Sequence, residues 1–141
     1  MPLDHGKFKL NIDAASFAEI CCFGIGAIVR DHIGRVVFTG CVKILGLFDP
    51  LTVELLAMRE GLVLVSNFRL QIQMLENDSS NVVSLVNSAI DSLTTIDLIT
   101  RDIKSIMSIS ECGTCNFIPR SGNEVAYKLA KLSSAFATLM Y

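Results

Sequence analysis

Apolar and polar residues alternate through KFKLNID, residues 7 to 13, and this period of two predicts a strand that ends at Asp13. The next run, CCFGIGAIVR, is flatter, and Gly24 and Gly26 within it signal either a close backbone approach or a bulge. Asp31, His32, Ile33 and Gly34 then form a turn into VVFTGCVKIL, so these two runs are expected to pair as an antiparallel hairpin.

From Pro50 the period changes. Leu51, Leu55, Met58, Leu62 and Val65 recur at three- and four-residue intervals, the stripe of an amphipathic helix of about four turns. Ala57 and Gly61 lie four apart and leave room for that helix to approach a sheet closely. LQIQML predicts a fourth strand, with Asp78 or Ser79 capping a helix over SSNVVSLVNSAI. A further helix is expected from Thr95 to Ile109, a short fifth strand at CNFIP, and a last helix from Ser121 to about Thr138. Ser121 and Glu124 have capping-box spacing at its start.

Three strands precede the first helix, and helices separate the remaining two. The expected fold is therefore α/β: a mixed five-stranded sheet, with three antiparallel strands followed by parallel ones, flanked by helices. A chain of 141 residues that is 51% hydrophobic suits one domain over 1–141 with its core at about 7–138. No run of about 18 apolar residues and no basic, apolar leader is present, so a soluble, intracellular protein is expected, in nucleus or cytoplasm, with no membrane partner.

Charge and cysteine content narrow the chemistry. Fourteen acids against twelve bases give a net charge of −2 without a block of Lys and Arg, so indiscriminate phosphate binding is disfavoured; contact with nucleic acid has to rely on a local patch or on metal ions. The five cysteines are expected as reduced thiols. Cys112 and Cys115 form a CxxC, but no second pair completes a zinc ribbon, and CGTCNFIP reads as a turn entering a strand rather than a helix start.

Against this background three acids stand out: Asp13 after KLNI, Glu54 in the first helix and Asp78 after the fourth strand. Each has an ordinary reading, as a strand-end cap, a salt-bridge partner and a helix N-cap respectively. A shared divalent cation is the alternative that satisfies all three at once. Their oxygens are then expected within about 4 to 7 Å of one another.

The blocks FKLNIDAAS, GIGAIVRDHIGRVV, DPLTVELLAMREGLVL, LENDSSNVVSLVNS, LITRDIKSI and FIPRSGNEVAYKLAKLS, in this order, resemble the plant ribonuclease H-like domains associated with retrotransposon reverse transcriptases. The resemblance runs from about Lys7 to Ser134. It implies the ribonuclease H-like fold and an endonuclease (hydrolase) that cuts the RNA strand of RNA/DNA hybrids with two magnesium or manganese ions held by four carboxylates. By position, Asp13, Glu54 and Asp78 match three of those catalytic, metal-binding acids.

Two positions depart from the family pattern. Where the last block usually reads Asn, two residues, Ala and Asp, this chain has Asn123, Ala126 and Tyr127; a neutral phenol is a poor Mg²⁺ ligand, so a second ion is expected to be weakly held. Phe117 occupies the place of a histidine two residues before the proline. Glu76 and Glu124 are accessory candidates, Glu124 lying one helical turn before Tyr127.

The leading expectation is thus a ribonuclease H-type domain that binds RNA/DNA hybrid or structured RNA, with metal-dependent cleavage weakened by Tyr127 and Phe117. The alternative is a catalytically inactive module, domesticated from a retroelement, that binds nucleic acid or a protein partner.

Overall fold

The computed structural model describes residues 3–89 and 92–135. Five strands, β1 (Phe8–Phe17), β2 (Cys22–Arg30), β3 (Val36–Leu45), β4 (Ile72–Asn77) and β5 (Thr114–Phe117), form one sheet in the order β3-β2-β1-β4-β5. The first three pair antiparallel, and β4 and β5 add in parallel to β1. Four helices complete the fold: α1 (Pro50–Ser66), α2 (Ser80–Asn87), α3 (Thr95–Ile109) and α4 (Glu124–Leu132).

The hairpin closes as its sequence implies, with Gly34 at φ +88° and its N–H donating to Asp31 O. Asp49 starts α1 by accepting from the Thr52 N–H at 2.9 Å, with Pro50 in the first turn where its missing N–H costs nothing. Ile12, Leu55, Met58, Leu75 and Ile103 are among the fully buried side chains of the core between the sheet and α1 and α3.

Three glycines set how closely the helices approach. A Cβ on Gly61 of α1 would come within 2.6 Å of Ile12 Cδ1, so α1 rests directly on β1. On the opposite face α4 crosses β2 and β1. There, a Cβ on Gly24 would lie 2.1 Å from Ala130 O, and one on Gly26 would lie 1.9 Å from Ala126 O. The glycines thus mark a close approach, and the β2–β3 register shift falls instead between Val29 and Arg30. Because helix backbone cannot retreat as a side chain can, Gly26→Ala is expected to destabilise the protein by about 3 kcal/mol in urea unfolding. Gly122→Ala, whose Cβ would meet nothing closer than 3.5 Å, serves as the tolerated control.

The structure corrects three expectations. β1 does not end at Asp13 but runs on to Phe17, because Ala14 to Phe17 pair with β2 after the pairing with β4 has stopped at Asn11–Glu76. The capping box of Ser121 and Glu124 does not form: residues Arg120–Asn123 make a 3₁₀ turn, α4 starts only at Glu124, and its N-cap Asn123 has no side-chain capping bond. Instead the Asn123 side chain is drawn into the sheet. The last helix stops at Leu132, followed by a 3₁₀ turn to Ala135; the expected continuation to Thr138 lies outside the described residues.

Candidate functional site

Asp13, Glu54 and Asp78 converge. One carboxylate oxygen from each lies within 4.8 Å of the others, and among the described residues this is the one group of three or more His, Cys, Asp or Glu side chains so placed. The location follows from the topology. The parallel ladder of β1 and β4 ends at Asn11–Glu76, β1 continues with Asp13, and β4 hands over at Asn77 to the turn that carries Asp78. Glu54 reaches the same place from the first half of α1.

Ser79, not Asp78, is the N-cap of α2, accepting from the Val82 N–H. Glu54 makes no ion pair among the described residues, and its Oε2 is buried with no hydrogen-bond partner. Asp13 sits inside a strand, where its Oδ1 accepts from the Ala14 N–H at 2.8 Å. Asp78 Oδ2 is likewise buried without a hydrogen bond; its nearest cation is the Arg120 guanidinium, with Nε 3.7 Å away.

Three acids in this setting cannot all ionise cheaply. Burial, then the neighbouring charge of Asp78, pushes the Asp13 carboxyl up to about 6 against the backbone hydrogen bond that lowers it. Burial and the charges of Asp13 and Asp78 push Glu54 up to about 8. Arg120 opposes both rises. Buried, unpaired carboxylate oxygens facing one another fit a hard divalent cation, which binds oxygen and relieves the repulsion.

An amide network that sequence reasoning missed holds the cluster. Both Asn77 Nδ2 and Asn123 Nδ2 donate to the Ile12 carbonyl, at 3.1 and 2.9 Å, while Asn11 Nδ2 donates to Glu76 Oε1 and to Asn123 Oδ1, each at 3.1 Å. All three asparagines are buried, at 2% exposure or less. They tie β1, β4 and the start of α4 together beside Asp13, at the point where the strand ladder ends and Ile12 O would otherwise lack a donor. For Asn11 and Asn77 the signal was present as polar residues in otherwise apolar strand segments, in KLNID and LEND.

Of the remaining candidates, Glu76 and Glu124 fall outside the group formed by the three acids. Glu76 faces the neighbouring ladder position, bonded to Asn11 and 3.7 Å from Lys9 Nζ. Glu124 is exposed and borders a 150 Å³ cavity with Asn11, Arg30 and Asn123. Phe117 closes β5 and is half exposed. Tyr127 follows Ala126, whose carbonyl lies over Gly26, the cross-strand partner of Asp13, so α4 passes directly beside the strand pair that carries that acid. The residue is 41% exposed, with the Lys131 ammonium 5.6 Å from its ring centre. All five cysteines are free thiols, and burial pushes Cys112 up to about 11 and Cys115 up to about 12, which makes them poor nucleophiles.

The strand order, the mixed pairing and the flanking helices define a ribonuclease H-like domain. The chain belongs to the reverse transcriptase-like family, whose model matches residues 12–133. Solved structures share the fold at low identity. RNase H1 from the archaeon Halobacterium salinarum NRC-1 superposes with a TM-score of 0.79 at 20% identity, over 92% of this chain and 98% of that one. The N-terminal RNase H domain of rv2228c from Mycobacterium tuberculosis gives 0.73 at 19% identity, over 90% and 92%. LC11-RNase H1, solved in complex with an RNA/DNA hybrid, gives 0.75 at 17% identity, over 90% and 96%. No curated protein sequence matches the chain. No described helix is long and apolar enough to cross a membrane.

Proposed function

We propose that this single domain binds RNA/DNA hybrid or structured RNA and hydrolyses the RNA strand of a hybrid slowly, with one divalent ion held by Asp13, Glu54 and Asp78. The observation that carries the reading is the convergence of three carboxylates from three separated segments, two of them with buried oxygens that lack any hydrogen bond. A structural acid cluster would be expected to satisfy those oxygens internally. Magnesium or manganese, when bound, supplies a Lewis acid for the phosphodiester and lowers the pKa of a bound water.

The chain's own residues do the rest. Asp13 is fixed by strand pairing on β2 and by the Ala14 N–H, so one of its oxygens is committed and the other is available. The bonds from Asn77 and Asn123 to Ile12 O hold the strand segment next to it, which keeps the acids at a spacing suited to one ion. Tyr127 offers no fourth carboxylate and Phe117 no proton donor, which is why we place the activity low. The plant and retroelement affinities suggested by the sequence blocks belong to this reading as well.

Incubation of the protein with an end-labelled RNA/DNA hybrid in Mg²⁺ or Mn²⁺ tests it, with single-stranded RNA and duplex DNA alongside. Cleavage of the hybrid alone, absent in chelator and lost at least 100-fold in Asp13→Asn, is the expected result. Hybrid binding without any cleavage would favour the second reading, a silent nucleic-acid-binding module, which Tyr127 and Phe117 specifically favour.

A further inference from the structure

Among the described residues, Arg120 is the cation whose charge reaches all three acids. It pairs with Asp78 at 3.7 Å and opposes the rise of both Asp13 and Glu54. The two partners of that pair are unequally placed, since the Asp78 side chain is 6% exposed and the Arg120 side chain 89%. The guanidinium therefore stands at the mouth of the cluster, on the 3₁₀ turn Arg120–Asn123, and is not packed into it. The separation is too long for a hydrogen bond, so Asp78 Oδ2 is left free to accept a shorter, stronger ligand.

We propose that Arg120 is a tethered counter-ion that holds Asp78 in the ion-free protein, competes with the divalent cation for the cluster, and takes the charge-balancing place of a second ion. The inference rests on the metal reading above. Three carboxylates carry three negative charges; one divalent ion and one guanidinium carry three positive ones. A cluster with a fourth acid would need two divalent ions for the same balance. Because the pair is long and its cation exposed, the guanidinium can yield Asp78 Oδ2 to an entering ion while staying at the mouth of the cluster. Arg120 is thus a positioning residue that sets ion affinity and count, acting through Asp78.

Manganese binding to the full chain, followed by calorimetry, tests this in the native protein and in Arg120→Gln, Arg120→Lys and Asp13→Asn. Removing one positive charge roughly 5 Å from a divalent ion near a protein surface is expected to tighten binding about tenfold. Arg120→Gln should therefore bind Mn²⁺ about tenfold more tightly than the native protein, and Arg120→Lys, which keeps the charge, should match the native within about twofold. Circular dichroism confirms that each variant folds. Native binding that is lost in Asp13→Asn but unchanged in Arg120→Gln would overturn the counter-ion role and leave the metal site standing. Equal tightening in Arg120→Lys would also overturn it, because charge would then not be the cause. Mn²⁺ binding absent from the native protein and from Arg120→Gln alike would overturn the metal reading and this inference with it.

Discussion

Tyr127→Asp is expected to raise hybrid cleavage on the order of 100-fold in saturating Mg²⁺, the equivalent of about 2.7 kcal/mol in transition-state stabilisation. Gly24 and Gly26 let the α4 backbone lie against β2, with the Ala126 carbonyl over the residue that pairs with Asp13. A short carboxylate on the next residue is therefore carried by an element that strand packing holds in place beside the three acids. It would add a hard oxygen donor where a half-exposed phenol now stands. Tyr127→Asn, equally short but neutral, is the control and should give no gain. Phe117→His alone should do much less, since a proton donor matters only once the ions are in place. If Tyr127→Asp folds, binds hybrid and cuts no faster than the native chain, the weakened-nuclease reading gives way to the binding module.

The sequence carried the elements well where a local rule and the tertiary structure agree. The β2–β3 hairpin was readable because Gly34 supplies the positive φ its turn requires, and α1 because Pro50 and an unbroken apolar stripe mark its start and buried face. The three acids were readable because each is a charge beside an apolar run, and the fold brings those runs together. What failed were the features decided by pairing partners. The segment of β1 opposite β4 ends at Asn11, two residues before Asp13, and an alternating pattern cannot tell that end from the end of the strand. Ser121 and Glu124 have the right spacing for a capping box, but Asn123 is drawn away by Ile12 O and Asn11, and the first turn tightens instead. Arg120 gave no signal at all, since its meeting with Asp78 spans 42 positions of sequence and depends on where α4 lands.

Glu54→Gln is expected to stabilise the ion-free protein at alkaline pH while abolishing its response to divalent ions. The sign follows from the two raised carboxyls. Asp13 moves from 3.8 to about 6 and Glu54 from 4.5 to about 8, so the folded state holds protons more tightly than the unfolded chain. Their contribution is fully present below about pH 4 and is lost as pH rises through 6 and then 8, where the folded protein must carry unpaired, buried negative charge. In chelator the native protein should therefore melt progressively lower between pH 5 and pH 8.5. Glutamine keeps the shape of Glu54, cannot ionise, and turns a buried acceptor without a partner into an amide able to donate to Asp13 or Asp78. At pH 8.5 the variant should gain on the order of 3 kcal/mol over the native protein, or roughly 5–10 °C in melting temperature. Added Mn²⁺ should reverse the order, since bound ion stabilises only a protein that can hold it, and the native chain should rise with ion concentration while Glu54→Gln stays flat. A native melting temperature that is constant from pH 5 to 8.5 in chelator would show that the acids are not strained by one another. Their unsatisfied oxygens would then no longer argue for a cation.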